Sequence, residues 1–269
     1  MPAAPGSRSF GIADQESFAV LSGDRNPMHM DPVAARRTQA GACAVHGMHA
    51  LLWGLDVLAA NGLPLAEASG LKVEFTRFMR LDAPISAAIR SASPDRVQAE
   101  LTQDGQRAVA IDLALGLRPP RTAPPPADPA LPPTDPDDPD FEGLNGKSGR
   151  LAPPRGQSPE QHFPRLASTL GPDAVASLAL LSTLVGMVVP GLHSIFSGLQ
   201  LDFGTTGLDR GLAWRVAQAD PRFRLVALDV AGASFAGTLR AFARLPPVEA
   251  PSLAAIAALV DPEEFAGRR

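Results

Sequence analysis

Apolar positions along the chain fall into two matching series, separated by a stretch that has few of them. In the first series, residues 44–64 (AVHGMHALLWGLDVLAANGLP) are apolar on all sides and predict a buried helix. Residues 71–81 (LKVEFTRFMRL) then alternate apolar and polar, as a half-buried strand does. Two further runs, 85–93 and 96–117, read as strands, and the second is split by Asp104-Gly105, a hairpin turn pair. The second series repeats the order: an apolar helix over 174–189, a strand ending in LQLDF at 199–203, and strand-like runs at 211–219 and 222–245. LKVEF and LQLDF carry the same alternation. A long apolar helix followed by several antiparallel strands, twice over, predicts an α+β fold with a sheet wrapped around a helix in each half. It also predicts that the two halves arose by duplication.

Between the series, residues 119–161 hold clustered prolines and aspartates and little to bury. Proline removes backbone donors and blocks helix and sheet interiors, so this segment is expected to be extended and poorly ordered, above all over 122–140. The expected organisation is a first domain at 1–118, a linker at 119–161 and a second domain at 162–269. With 45% hydrophobic residues the chain has ample material for a core. The net charge of −4, with no basic block, argues against nucleic-acid binding. The single cysteine, Cys43, permits no intrachain disulfide and fits a reducing compartment. The N-terminus has no apolar core of a secretory signal, and the apolar helix of the second half falls short of the roughly 20 residues that a membrane span needs. A cytoplasmic protein with no membrane span is the expectation.

The candidate chemistry lies in residues 21–48, LSGDRNPMHMDPVAARRTQAGACAVHGM. A short helix is predicted to end at Gly23-Asp24. Asn26-Pro27 starts a turn, because the residue before proline is pushed out of the helical region. Asp31-Pro32 reads as an N-cap with proline at the first helical position. Asp24 and His29 therefore flank a tight turn, and a carboxylate and imidazole so held can move protons around one water at neutral pH. His46-Gly47 opens the apolar helix, and a helix N-terminus can bind an oxyanion. Each residue also has a plainer reading: Asp24 and Asn26 as turn residues, and His29, His46 and His49 as packed histidines. Cys43 beside His46 could be a nucleophile but has no supporting signature. Asp24, His29, Asp31, His46 and His49 could form a metal site, since HGMH sets two histidines one helical turn apart.

Taken together, Ser22-Gly23-Asp24-x-Asn26-Pro27-x-His29-x-Asp31, followed by Val45-His46-Gly47-Met48, resembles the hydratase signature of MaoC-like dehydratases, which include the (R)-specific enoyl-CoA hydratases. The resemblance covers roughly the first 85 residues. It implies a hot-dog fold, here a double hot-dog whose second half is degenerate. It implies a hydro-lyase that dehydrates (R)-3-hydroxyacyl thioesters or hydrates 2-enoyl thioesters, with no cofactor and no metal. By position, Asp24 and His29 correspond to the catalytic pair and Gly47 to the backbone donor for the thioester oxygen. Asn26 is expected to orient the turn. Asn26, His46, Met48 and Arg77 are the expected substrate contacts. The thioester carrier is coenzyme A or an acyl carrier protein, with Arg77, Arg80 and Arg90 as candidates to meet its phosphates or acidic surface. Two such chains could form a homodimer.

The sequence departs from the family in places. The family often has a polar residue two turns into the central helix, where this chain has Trp53, Gly54 and Leu55. The second half has no Asp-x-Asn-Pro-x-His segment, and Ala176-Ser177 stands where His46-Gly47 is expected. That half is read as a non-catalytic partner that shapes the acyl tunnel. Two other functions compete. One is a non-catalytic acyl-thioester-binding protein, which would not need both Asp24 and His29. The other is a hot-dog thioesterase, for which Asp56 is the available helical carboxylate.

Overall fold

The computed structural model describes residues 6–123, 127–246, 251–259 and 267. Residues 1–5 of the N-terminal stretch, 124–126 of the Pro/Asp-rich segment, and 247–250, 260–266 and 268–269 of the second half lie outside the described residues. The first half runs β1 (Gly6–Ser9), α1 (Ile12–Ser22), α2 (Pro27–Met30), α3 (Pro32–Arg36), α4 (Gly47–Ala60), β2 (Ala68–Phe75), β3 (Pro84–Ser93), β4 (Arg96–Gln103) and β5 (Gln106–Leu115). The predicted hairpin is present: Asp104 and Gly105 both take positive φ (53° and 72°), the left-handed pair that a two-residue turn between twisted strands requires.

The second half contains β6 (Pro129–Ala130), β7 (Ser148–Leu151), α5 (Pro159–His162), α6 (Pro164–Leu170), α7 (Pro172–Thr183), β8 (Ser194–Phe203), β9 (Leu212–Asp220), β10 (Leu225–Gly232) and β11 (Phe235–Ala243). The last turn of α7 widens into a π-helix over Leu184–Val188. The helix begins at Gly171-Pro172, not at Ala176-Ser177. Those two residues sit inside it, where the Ser177 hydroxyl donates to the carbonyls of Asp173 and Gly211. Proline favours the first helical position, because the donor it lacks is unpaired there in any case.

Among the described residues, one 11-stranded sheet runs in the order β1-β3-β4-β5-β2-β8-β11-β10-β9-β7-β6. Its two sides mirror each other: β1 pairs β3 as β7 pairs β9, and β2 pairs β5 as β8 pairs β11. The halves meet at β2 and β8, the two strands whose alternation matched in the sequence. Their register is Leu71↔Leu201, Lys72↔Gln200 and Val73↔Leu199. An approximate two-fold through Lys72 and Gln200 exchanges the halves. Facing residues of antiparallel strands share one side of the sheet, so Leu71, Val73, Leu199 and Leu201 are all buried against the helices while Lys72 and Gln200 face outward. Each unit is thus a sheet curled around its own central helix, α4 or α7, and the pair forms a double hot-dog.

Fully buried leucines on α4 and α7 fill the space under the sheet. No single described helix is long and apolar enough to cross a membrane. The Pro/Asp-rich segment is extended as expected, but its described part is docked rather than loose. Ala130 accepts a backbone bond from Ala152, β7 joins the sheet beside β9, and Phe141 and Leu144 are buried. Proline and aspartate bar the segment from sheet interiors, yet its backbone still bonds at an edge, and two apolar residues suffice to anchor it.

Candidate active site

The local sequence shapes the turn that carries Asp24. Helix α1 stops at Gly23, whose φ of 89° is left-handed and whose N–H returns to the Ala19 carbonyl. The Ser22 hydroxyl accepts the Asp24 N–H at 3.1 Å, and Asp24 Oδ1 accepts the Asn26 N–H at 3.1 Å. Asn26 Oδ1 then caps α2 by accepting from Met28 N–H at 3.0 Å, with Pro27 at the first helical position. Asp31 Oδ1 caps α3 through Val33 and Ala34, as its position before Pro32 predicted.

This chain of short bonds brings Asp24, His29 and His46 together, with side-chain donor atoms all within 4.8 Å of one another. Asp24 is 1% exposed. Burial raises its carboxyl above the ordinary aspartate range, against the opposing effects of His29, the Ser182 hydroxyl and the Asn26 N–H. His29 Nδ1 donates to the Ala44 carbonyl at 2.8 Å. That bond fixes the tautomer, so Nε2 carries the basic lone pair. The His46 ring stacks on His29 with centroids 3.9 Å apart. Burial, with His29 and His49 beside it, holds His46 well below the usual histidine range.

Gln15 orients His46. Its Oε1 accepts both the His46 backbone N–H (2.9 Å) and Nδ1 (2.8 Å), while Nε2 of His46 faces the Asp24 carbonyl at 3.2 Å. A backbone N–H can only donate, so the Gln15 oxygen must face it and the amide cannot be flipped. Nothing in the alternation of α1 marked Gln15 as buried. It is the fourth residue of a helix that begins at Ile12, and only the position of α4 places it inside.

The second half completes the site. Ser182 on α7 donates to Asp24 Oδ2 at 2.6 Å, and the Gly186 carbonyl in the π-turn accepts from Asn26 Nδ2 at 2.7 Å. A Cβ on Gly186 would lie 2.7 Å from Asp24 Oδ1, so glycine is what lets this turn approach the carboxylate. The hydroxyl bonded to Asp24 thus comes from the central helix of the second half. The signal was there in principle, since Ser182 and Thr183 are polar within an apolar helix, and buried hydroxyls need partners. Which partners they find is a tertiary fact.

Asp24, Asn26, His29, Gly47 and Met48 line a cavity of about 320 Å³ together with Ser182, Val185, Gly186 and Phe196 of the second half. Gly47 opens α4, where the first backbone N–H groups have no partner within the helix. A side chain there would press on the Phe75 ring, 3.1 Å away. Arg77 lines the same cavity and is exposed. Arg80 instead pairs with Asp104, and Arg90 with Glu100.

Some expectations need correction. His46, expected to touch substrate, is completely buried behind Asp24 and His29 and is not in the cavity wall, because α4 turns its ring toward Gln15. Asn26 lines the cavity, but both ends of its amide are spent on the turn and on the second half. Of the five candidate metal ligands only three converge. Asp31 caps α3, and His49 stacks on Phe18 with rings 4.6 Å apart. Cys43 is half-buried, and burial with Asp31 nearby raises its thiol above the ordinary value, opposite to what a nucleophile requires. Asp56 accepts the Leu166 N–H at 2.8 Å and so ties α4 to α6.

A buried Asp–His pair beside a glycine-opened central helix, at the seam of two units, defines a class: a double hot-dog protein with a polar site in its first half. Residues 5–109 match the family described as MaoC like domain. The chain is 48% identical over 42 residues to the (R)-specific enoyl-CoA hydratase of Aeromonas caviae, a match that spans 16% of this chain and 31% of that enzyme. Two solved structures superpose on most of the chain. A MaoC-like dehydratase superposes with a TM-score of 0.50 at 12% identity, over 88% of this chain and 96% of its own. The dehydratase domain of a mycocerosic acid synthase-like polyketide synthase superposes at 0.52 and 12% identity, over 88% and 90%. At that identity they show the double hot-dog fold.

Proposed function

We propose that the protein is a hydro-lyase that interconverts (R)-3-hydroxyacyl thioesters and 2-enoyl thioesters. The observation that carries this reading is the His29 ring, fixed by Ala44 with its basic nitrogen free, within reach of a buried Asp24 whose carboxyl is raised by burial. A base and an acid lining one cavity with an unpaired helix N-terminus are the groups that α,β-elimination from a thioester needs.

In the dehydration direction, His29 Nε2 takes the proton from C2. The electron pair of that C–H bond delocalises into the thioester carbonyl, whose oxygen sits against the Gly47 N–H and the positive end of α4. One such donor contributes about 3–4 kcal/mol to lowering the barrier. The pair then forms the C2–C3 double bond as the C3–O bond breaks, and the leaving hydroxyl takes the Asp24 proton and departs as water. Hydration reverses each step with one water between Asp24 and His29. Asn26 and Ser182 hold the carboxylate in place and take no part in the proton transfers. Arg77 at the cavity serves the carrier's phosphates. Similarity to the family supports the R configuration at C3.

The test is incubation with crotonyl-CoA while following loss of the enoyl-thioester absorbance, and with the acyl-carrier-linked substrate in parallel. Asp24→Asn and His29→Ala are each expected to lower kcat by about 10²–10⁴-fold, with the thermal midpoint retained. Full activity in either variant would overturn the mechanism.

A further inference from the structure

We propose that the Pro/Asp-rich segment at 132–138 is a strap that positions the catalytic turn, acting through the π-turn of the second half; the kinetic part of this rests on the hydro-lyase reading above. Three observations converge on residues 186–192. On one side, Asn26 Nδ2 bridges this turn by donating to the Gly186 carbonyl at 2.7 Å and the Leu192 carbonyl at 3.2 Å. On the other, the strap clamps the same turn: Asp137 N–H donates to the Met187 carbonyl, and the Asp137 carbonyl accepts from Leu192 N–H, both at 2.8 Å. The contact is tight, since a Cβ on Gly191 would lie 2.0 Å from the Asp137 oxygen. Upstream, the strap also touches the catalytic turn directly. A Cβ on Gly23, next to Asp24, would lie 2.6 Å from the Pro132 ring.

The strap is anchored at both ends, so it holds the turn in place. Before it, β6 pairs with β7; after it, Phe141 and Leu144 are buried. Between those anchors, Pro132, Pro133, Pro136 and Pro139 stiffen the backbone. Asp24 is therefore located by a series of contacts that runs strap, π-turn, Asn26 and Gly186, carboxylate. A segment that only tethered two domains would need none of them.

The backbone bond can be removed without touching the pocket. The Asp137 side chain is exposed, so Asp137→Ala keeps both bonds, whereas Asp137→Pro deletes the N–H that Met187 accepts. In the full-length protein, Asp137→Pro is expected to lower kcat on crotonyl-CoA about tenfold or more, with KM within about twofold. Hydrogen exchange at the Asn26 and Met28 amides should rise. Asp137→Ala should leave kcat, KM and exchange at the wild-type values. Replacing 131–139 by a Gly/Ser segment of equal length should reproduce Asp137→Pro, and serves if that variant does not fold. The proposal is overturned if exchange rises at Leu192, showing the strap released, while kcat and the Asn26 and Met28 amides are unchanged. If the wild type is inert on both thioester carriers, the exchange readout still decides the strap, and only the hydro-lyase reading falls.

Discussion

At the scale of single residues, the site depends on a few buried polar atoms whose bonds cannot be exchanged. Ser182 is the clearest case. Its hydroxyl gives Asp24 Oδ2 a bond at 2.6 Å and so orients the carboxylate toward the cavity. Ser182→Ala is expected to lower kcat by about 10- to 150-fold, which corresponds to the loss of one hydrogen bond to a carboxylate at about 1.5–3 kcal/mol. Unchanged kcat would show that the hydroxyl does not orient the acid. His49 makes the opposite prediction. It is buried between Phe10 and Phe18, and burial with Arg8 nearby lowers its pKa from 6.5 to about 3. The unfolded chain therefore binds a proton at His49 between pH 6.5 and about 3 that the folded chain does not. Stability falls as pH drops through that window, by up to about 1.4 kcal/mol per pH unit from this group. His46 is shifted in the same direction, while the raised Asp24 acts against both, because its folded form holds a proton longer. His49→Leu should flatten the acid side of a plot of thermal midpoint against pH; an unchanged slope would count against a neutral buried His49.

At the scale of elements, α7 departs from a regular helix where it meets Asp24 and Asn26. Its last turn widens over Leu184–Val188, and Gly186 in that turn leaves room for the Asp24 carboxylate. Widened turns of this kind recur at functional sites because they re-aim one carbonyl, here toward Asn26. Gly186→Ala places a methyl 2.7 Å from Asp24 Oδ1 and is expected to cost about 10²-fold in kcat, since a displacement near 1 Å is enough. Retained activity would mean that the two elements separate without consequence. The elements themselves were largely legible in the sequence: α4, the Asp104-Gly105 hairpin and the caps at Asn26 and Asp31 all follow from local rules. The start of α7 was not, because helix starts in a continuously apolar run are marked by caps rather than periodicity, and Gly171-Pro172 was the marker.

For the whole molecule, the central β2–β8 pairing joins the halves into one sheet, and Asp56 ties α4 to α6 across them. Neither half is closed without the other. Residues Leu71 and Val73 would lie at an open edge without β8. Calorimetric unfolding is therefore expected as one transition, with equal van't Hoff and calorimetric enthalpies. Two resolved transitions would show that the halves fold independently. The same joining lets the second half supply Ser182, Gly186 and part of the cavity wall.

The duplicated plan, the two central helices, and the turn that sets Asp24, Asn26 and His29 in order all follow from the order of residues alone. Those features rest on local spacing, on proline and glycine geometry and on apolar periodicity, all of which act within a few residues. Long-range packing is what brings Ser182 and Gly186 to Asp24, holds His46 on Gln15 away from the cavity, and clamps the Pro/Asp-rich segment on the π-turn. These partners are separated by 31 to 162 residues along the chain. Buried polar atoms must find partners somewhere, but the choice of partner belongs to the packing of the two halves.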